Sequence, residues 1–295
     1  MILITGAAGL SGSAIVNEFS LNRVPVRALV RDRIKADAIA KLLGVEVVEG
    51  DMDRPETLGP ALEGIEQAMM ISSSSATMVS TQTTFIDACR TAGVNRIVKF
   101  SGKESGIDFD AAKFPFTRMH EEIEDYLENS GLSWTHLRPA QFMQVYLRAS
   151  ATIAQKGMLF LPHEEVALSP VDIMDVAKIA FAVLTRGRRE NLSLDITGPQ
   201  ALTMAAIAKI IGEAIGKPVR YQSIDPEEHR RVMAAAGLPR FMIDALSEQA
   251  AERRRHPVSA INLGAHEAFG IEPTRFEQFA KRHAAIFRGD SRSPS

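Results

Sequence analysis

Short apolar runs alternate with longer polar–apolar stretches through the first half of the chain. The runs beginning at Ile2, then Val26–Val30, Val45–Val48, Gln67–Ser72, Arg96–Phe100 and Trp134–Leu137, read as buried strands. Helices lie between them: one opens with Ala14, Ile15, Val16 and Phe19, and others span Pro55–Leu62, Thr77–Ala92 and Phe116–Ser130. Such alternation is what an α/β, doubly wound parallel sheet demands. Beyond about residue 150 it breaks down into a Pro/Gly-punctuated stretch from Gly157 to Pro170, a helix over Asp172–Leu184, and mostly helical segments to Phe287. That second part predicts a smaller, helix-rich C-terminal lobe. The last residues, 288–295, read as a loose tail. There is no internal repeat.

The first strand runs directly into Gly6-x-x-Gly9-x-x-Gly12, and a helix follows at once. Glycines at this spacing let the backbone turn tightly and approach a pyrophosphate, and they let the new helix pack close on the strand. The helix N-terminus offers free N–H groups and the positive end of its dipole. Strand before and helix after is the context that turns three glycines into a Rossmann-type dinucleotide site. Gly6, Ala8, Gly9, Leu10, Ser11 and Gly12 are thus candidate phosphate-binding residues. At the tip of the second strand, where such folds read the ribose, stands Arg31, followed by Asp32, Arg33 and Lys35. An arginine there suits a 2′-phosphate, which favours NADP(H) over NAD(H), although Asp32 leaves the second open.

Composition narrows the class. A chain of 295 residues, 45% hydrophobic, can bury a substantial core, and its formal net charge of −2 argues against nucleic acid as a partner. The clusters Arg186-Gly-Arg-Arg189 and Arg253-Arg-Arg255 read as solvated helix ends or loops. A strand at residue 2 leaves no room for a signal peptide, and no apolar run is long enough to span a membrane. One cysteine, Cys89, fits a reducing cytoplasm and sits in a pattern that places it inside a helix's buried face. A monomer or homodimer acting on a small molecule is expected.

In a sheet of this kind the ligand lies over the carboxyl ends of the strands. Asp51 and Met52 follow the third strand and can bracket an adenine. Ser72, Ser73 and Ser74 follow the fourth and leave space for a cofactor to cross. Ser101 and Lys103 follow the fifth, Pro139 the sixth, and Phe142, Met143 and Tyr146 can form an apolar lid over an aromatic substrate.

Read together, Thr5–Gly12, Val30-Arg31, Gly50-Asp51, His120-x-x-x-Glu124-x-x-Leu127-x-x-Ser130-Gly131, Thr135-x-Leu-Arg138-Pro139-x-x-Phe142-Met143, Asp172-x-x-Asp175-Val-Ala177 and Thr197-Gly198-Pro199 resemble the NmrA-like branch of the atypical short-chain dehydrogenase/reductases. The resemblance covers most of residues 1–200, and Gly237-Leu-Pro239 and Phe276–Phe287 are similar to that family's C-terminal lobe. It implies NADP(H) binding and, in many members, reduction of quinones, azo dyes, triphenylmethane dyes or other electron-poor conjugated compounds. It also implies a nucleotide-binding domain over 1–155 to which 165–187 returns, with a smaller substrate-side lobe over 188–287.

Classical relatives protonate an alkoxide with the tyrosine of a Tyr-x-x-x-Lys pair. Here Tyr126, Tyr146 and Tyr221 are followed four residues on by Ser130, Ser150 and Asp225, so the pair is absent. Hydride transfer to a conjugated acceptor remains open, because water can protonate the product. Lys103 is a candidate to polarise an acceptor oxygen or bind the ribose, or else a surface lysine. His120, which shares a helix face with Glu124, either touches substrate or caps a contact between lobes. The acidic run Glu121, Glu122, Glu124, Asp125 reads as a solvated helix face. His163-Glu164-Glu165 lacks metal-ligand spacing, and no Gly-x-Ser-x-Gly elbow occurs. Two functions follow: an NADPH-dependent quinone- or azo-type reductase, or a non-catalytic NADP(H) redox sensor that binds a partner protein.

Overall fold

The computed structural model describes residues 1–112, 114–187 and 190–290. Strands β1 (Ile2–Ile4), β2 (Val26–Val30), β3 (Val45–Glu49), β4 (Gln67–Met70), β5 (Arg96–Phe100) and β6 (Ser133–Pro139) alternate with helices α1 (Leu10–Leu21), α2 (Asp37–Ala40), α3 (Gly59–Leu62), α4 (Met78–Thr91) and α5 (Pro115–Glu128). Then follow α6 (Ser150–Lys156), β7 (Met158–Leu161), β8 (Ala167–Leu168), α7 (Ile173–Thr185), β9 (Leu192–Ile196), β10 (Leu202–Thr203), α8 (Met204–Ile215) and β11 (Arg220–Ser223). Helices α9 (Pro226–Ala235), α10 (Arg240–Arg255), α11 (Gly264–Phe269), α12 (Phe276–Arg282) and α13 (Ala284–Arg288) complete the order.

Seven strands form the main sheet in the order β3-β2-β1-β4-β5-β6-β9, every pair parallel. The order reverses between β1 and β4, so the switch point lies at the glycine turn after β1. Thr5 ties the two strand tips together: its hydroxyl donates to the Ile71 carbonyl (2.6 Å) and accepts from the Ile71 N–H (2.8 Å). Helices α1 and α7 cover one face, where Phe19 meets Phe181 edge-on with centroids 5.0 Å apart. Helices α4 and α5 cover the other, and that core runs without interruption into Met204, Ile211, Phe276, Phe279 and Phe287 of the C-terminal helices.

Two expectations shift. The parallel sheet does not stop before residue 188: β9 is its seventh strand, pairing with β6 from Thr135↔Leu192 to Pro139↔Ile196. Residues 288–290 do not belong to the expected loose tail, because Arg288 closes α13 and its guanidinium pairs with Asp290 at 2.7 Å. Residues 291–295 lie outside the described residues, as do Arg188 and Arg189 of the first basic cluster. No helix among the described residues is long and apolar enough to cross a membrane.

Candidate active site

The carboxyl ends of the main-sheet strands form one edge, and most of the residues singled out in the sequence lie along it. Gly6 sits at φ +57°, and a Cβ there would stand 2.9 Å from the Ile71 carbonyl oxygen; a Cβ on Gly12 would overlap the backbone of Gly6 and Ala7. The turn and the helix behind it therefore require glycine at both positions. Gly6, Ala8, Gly9 and Leu10 are exposed, Ser11 is half-buried, and no side chain caps the start of α1. Uncapped N–H groups at the head of a twelve-residue helix, beside a turn with no side chains in the way, fit a pyrophosphate.

At the tip of β2, Arg31 is exposed and has no partner among the described residues. Asp32 is occupied locally, its Oδ1 accepting the Ile34 N–H at 2.9 Å, while Arg33 reaches Glu49 at 3.9 Å. Arg31, at the strand tip itself, is thus a cation available for a 2′-phosphate. Asp51 is half-exposed after β3, but Met52 is buried in the core beneath it, so the adenine bracket keeps only its polar half. Ser73 and Ser74 are exposed beyond β4. Ser72 is partly held by Gln82, whose Nε2 donates to its hydroxyl at 2.8 Å.

The lid expected from Phe142, Met143 and Tyr146 is reduced to its first member. Phe142 is half-exposed and packs 6.0 Å from Phe100, centroid to centroid. Met143 and Tyr146 are buried in the core, where Tyr146 receives a hydrogen bond from Gln141 (2.9 Å) and meets Phe276 edge-on. The turn after Phe142 directs them inward rather than over the strand ends. Pro139 is buried at the end of β6.

Beneath this edge lies an arrangement of which only His120 and Glu124 were singled out in the sequence. His120, Glu124 and Glu128, four residues apart along α5, meet Lys99 of β5 and Arg138 and His136 of β6. Lys99 is fully buried, with Nζ 2.9 Å from His120 Nδ1. Glu124 is gripped by Arg138 through two nitrogens, at 3.2 and 2.5 Å. Glu128 Oε1 lies 3.0 Å from His136 Nε2, and the His136 ring stacks on Trp134. Burial pushes Lys99 down to about 7, with Glu124 opposing and Arg138 reinforcing that shift. His120 is held well below its ordinary value by burial and by the Lys99 charge. For Glu124, burial raises the carboxyl, but the bond from Arg138, the Lys99 charge and the Ser101 hydroxyl together bring it below the usual range. His136 falls to about 4, chiefly by burial, so the Glu128 carboxylate accepts a hydrogen bond from a neutral ring rather than forming an ion pair. The acidic run is therefore a solvated face only in part: Glu122 and Asp125 are exposed, but Glu124 is internal and Glu121 pairs with Lys103 at 2.6 Å.

Ser101 is buried between this cluster and the edge above, its Oγ accepting the Lys103 N–H at 3.2 Å. A cavity of about 330 Å³ opens beside it, at the ends of β5, β6 and β9, lined by Lys103, Phe109, Thr117, Arg138 and Asp195 among others. Lys103 is one-third exposed and faces both this cavity and Glu121. The Thr117 hydroxyl is buried without a partner among the described residues. A strut holds the cavity's loop in place: Arg253 of α10 is buried and donates to Glu104 at 2.7 Å, and Gln249 donates to the same oxygen at 3.0 Å. The second basic cluster is consequently not solvated at its first member. His163, Glu164 and Glu165 diverge, the histidine buried and both carboxylates exposed. A smaller recess of about 70 Å³ lies among Glu66, Asn95 and Ser133 at the opposite edge of the sheet, remote from the glycine turn.

A signal for the buried cluster was there in Lys99, a charge near the end of a buried parallel strand, since such a charge must be paired. Thr117 and Arg253 carried no such signal.

A parallel sheet with a glycine turn at its switch point and a cavity farther along the same edge defines an α/β protein of the dinucleotide-binding type. The NmrA-like family model matches residues 1–280, and the chain belongs to that family. It is 32% identical over 287 residues to an NAD(P)H azoreductase of Xenophilus azovorans, a match covering 97% of this chain and 99% of that protein. Among solved structures, an NADPH-dependent quinone oxidoreductase of Escherichia coli in complex with NADPH superposes with a TM-score of 0.83 at 24% identity, over 96% of this chain and 99% of the other. A Citrobacter triphenylmethane reductase in complex with NADP(H) gives the same TM-score and identity, over 96% and 100%.

Proposed function

We propose that this protein is an NADPH-dependent oxidoreductase that transfers hydride to an electron-poor conjugated acceptor such as a quinone or an azo compound. The observation that carries this reading is the continuous strand-end edge, which runs from the uncapped glycine turn, past Ser73 and Ser74, to the cavity beside Lys103. The full-length likeness to an azoreductase agrees with it. On this reading Gly6, Ala8, Gly9, Leu10, Ser11 and Gly12 hold the pyrophosphate and Arg31 the 2′-phosphate. Asp51 meets the adenine side, Ser72, Ser73 and Ser74 flank the crossing, and Ser101, Lys103 and Pro139 border the nicotinamide end. Bound there, NADPH supplies the hydride, and the protein supplies orientation and exclusion of water.

The tyrosines support a conjugated acceptor rather than a simple ketone. Tyr146 is buried in the core, Tyr126 donates to Asp87 at 2.9 Å, and Tyr221 donates to the Leu161 carbonyl at 2.9 Å. None of the three is free to protonate an alkoxide at the strand ends. Phe142 offers a half-exposed ring to an aromatic substrate. The reading places the enzyme in a reducing cytoplasm, as a monomer or homodimer without nucleic-acid or membrane partners, in keeping with its single cysteine, Cys89, which is fully buried.

NADPH oxidation measured across quinones, azo dyes and activated alkenes, against heat-inactivated protein, tests the proposal. Turnover with at least one acceptor is expected. Tight NADP(H) binding without turnover would instead make the protein a redox sensor.

A further inference from the structure

We propose that Lys99 and His120 form a buried proton relay, in which His120 Nε2 protonates the reduced acceptor and Lys99 restores the proton through Nδ1. The inference rests on the reductase reading and concerns the half of that chemistry which the nucleotide does not supply.

With Lys99 as the ammonium, the contact sets the direction of the relay. An ammonium has hydrogens to give and no lone pair, so Lys99, 2.9 Å from Nδ1, makes that nitrogen the acceptor and leaves the hydrogen of the neutral ring on Nε2. Nε2 has no hydrogen-bond partner among the described residues. It lies directly against Gly102, the exposed residue two positions beyond the end of β5, and a Cβ on Gly102 would overlap it. The chain therefore places its one residue type without a side chain between the imidazole and the strand-end edge. Lys99 has no exposure of its own, so its route to a reacting group passes through the ring.

The surrounding charges suit proton exchange. From α5, Glu124 favours the charged lysine, and Glu128 stands farther along the same face. From β6, Arg138 disfavours it, and His136 is neutral at physiological pH. With burial, the outcome is a lysine near 7, able to release and regain a proton, where an ordinary surface lysine would hold it.

The step balances. A quinone that accepts a hydride from a reduced nicotinamide becomes a hydroquinone monoanion. The Nε2–H bond breaks and an O–H bond forms, Nδ1 takes a proton from Lys99, and the neutral amine is left. Water returns one proton to the pair. A triarylmethyl cation, in contrast, takes hydride at carbon and becomes neutral with no proton at all.

That difference supplies the test. In single-turnover reactions between pH 6 and 8.5, the quinone rate should fall above pH 7, approaching tenfold per unit, and show a solvent deuterium effect, whereas the cation rate should show neither. Lys99→Met should lower the quinone rate at least tenfold more than the cation rate, since general acid catalysis contributes roughly 10²–10⁴-fold, and should remove the pH dependence. Nitrogen-15 NMR of histidine-labelled resting protein should show His120 bare at Nδ1 and protonated at Nε2. Identical pH profiles for the two acceptors, or the opposite tautomer, would overturn the relay. Absence of turnover with every acceptor would overturn the reductase reading, and the relay with it.

Discussion

Arg253→Met should be among the most damaging single changes outside the glycine turn, and the strut to Glu104 shows why. The two side chains are 5% and 8% exposed, 2.7 Å apart, and join the cavity's loop to α10 across 149 residues of sequence. Methionine fills the space of the arginine stem but leaves the Glu104 carboxylate buried with Gln249 as its remaining donor. Breaking a buried pair by removing one partner costs about 3–5 kcal/mol. At about 2 °C per kcal/mol for a chain of this size, the midpoint should fall by about 6–10 °C. Removing both charges, as Glu104→Met with Arg253→Met, should return most of that loss, because no uncompensated ion remains. Thermal and urea denaturation of wild type, both single variants and the double variant give the coupling energy. A coupling below about 1 kcal/mol, or single effects that simply add, would show that this pair behaves as a surface contact and would refute the reasoning.

Arg31→Ala removes charge-assisted hydrogen bonds that only NADPH can make, each contributing about 1.5–3 kcal/mol. NADPH should weaken roughly ten- to hundredfold with NADH little changed, and equal losses in calorimetric titration of both cofactors would remove Arg31 from the phosphate site. Acid sensitivity should come in part from His163, which burial holds down at about 3. Below its ordinary value of about 6.5 the unfolded chain binds a proton that the folded one refuses. Its contribution is therefore complete above that pH and is lost on acidification, by about 1.4 kcal/mol per unit. His163→Gln should flatten the fall in urea stability between pH 7 and 5, and an unchanged slope would assign the sensitivity to other groups.

The nucleotide-binding half was legible because its signals are local. A strand buried on both faces is an apolar run, and a phosphate turn is a set of glycines a few residues apart. The strand boundaries of β2 and β5 coincide with the sequence reading for this reason. Strand β9 was missed because Leu192-Ser-Leu-Asp-Ile196 is half-polar and stands apart from the earlier alternation. Strands β8 and β10 have two residues each, too short for periodicity to show. Charged residues misled most. Glu124 and Arg253 look like solvent-facing groups until their partners are known, and those partners lie 14 and 149 residues away in the chain. Tyr146 and Met143 follow a strand end, as lid residues do, and only the path of the next turn shows that they point inward.

The way the chain threads the main sheet also governs when the protein can fold during synthesis. Once Pro139 has emerged, six of the seven strands exist, but β6 still presents an open edge of unpaired backbone groups. Its neighbour β9 arrives only after α6, β7, β8 and α7 have been made. The core shared by both parts of the molecule still lacks Phe276, Phe279 and Phe287, which lie far beyond β9 in the chain. A nascent chain therefore cannot complete its nucleotide-binding half first and add the remainder afterwards. Folding must wait for β9 and the helices that follow it, and a chain stalled before they emerge would display a sticky sheet edge to chaperones and proteases.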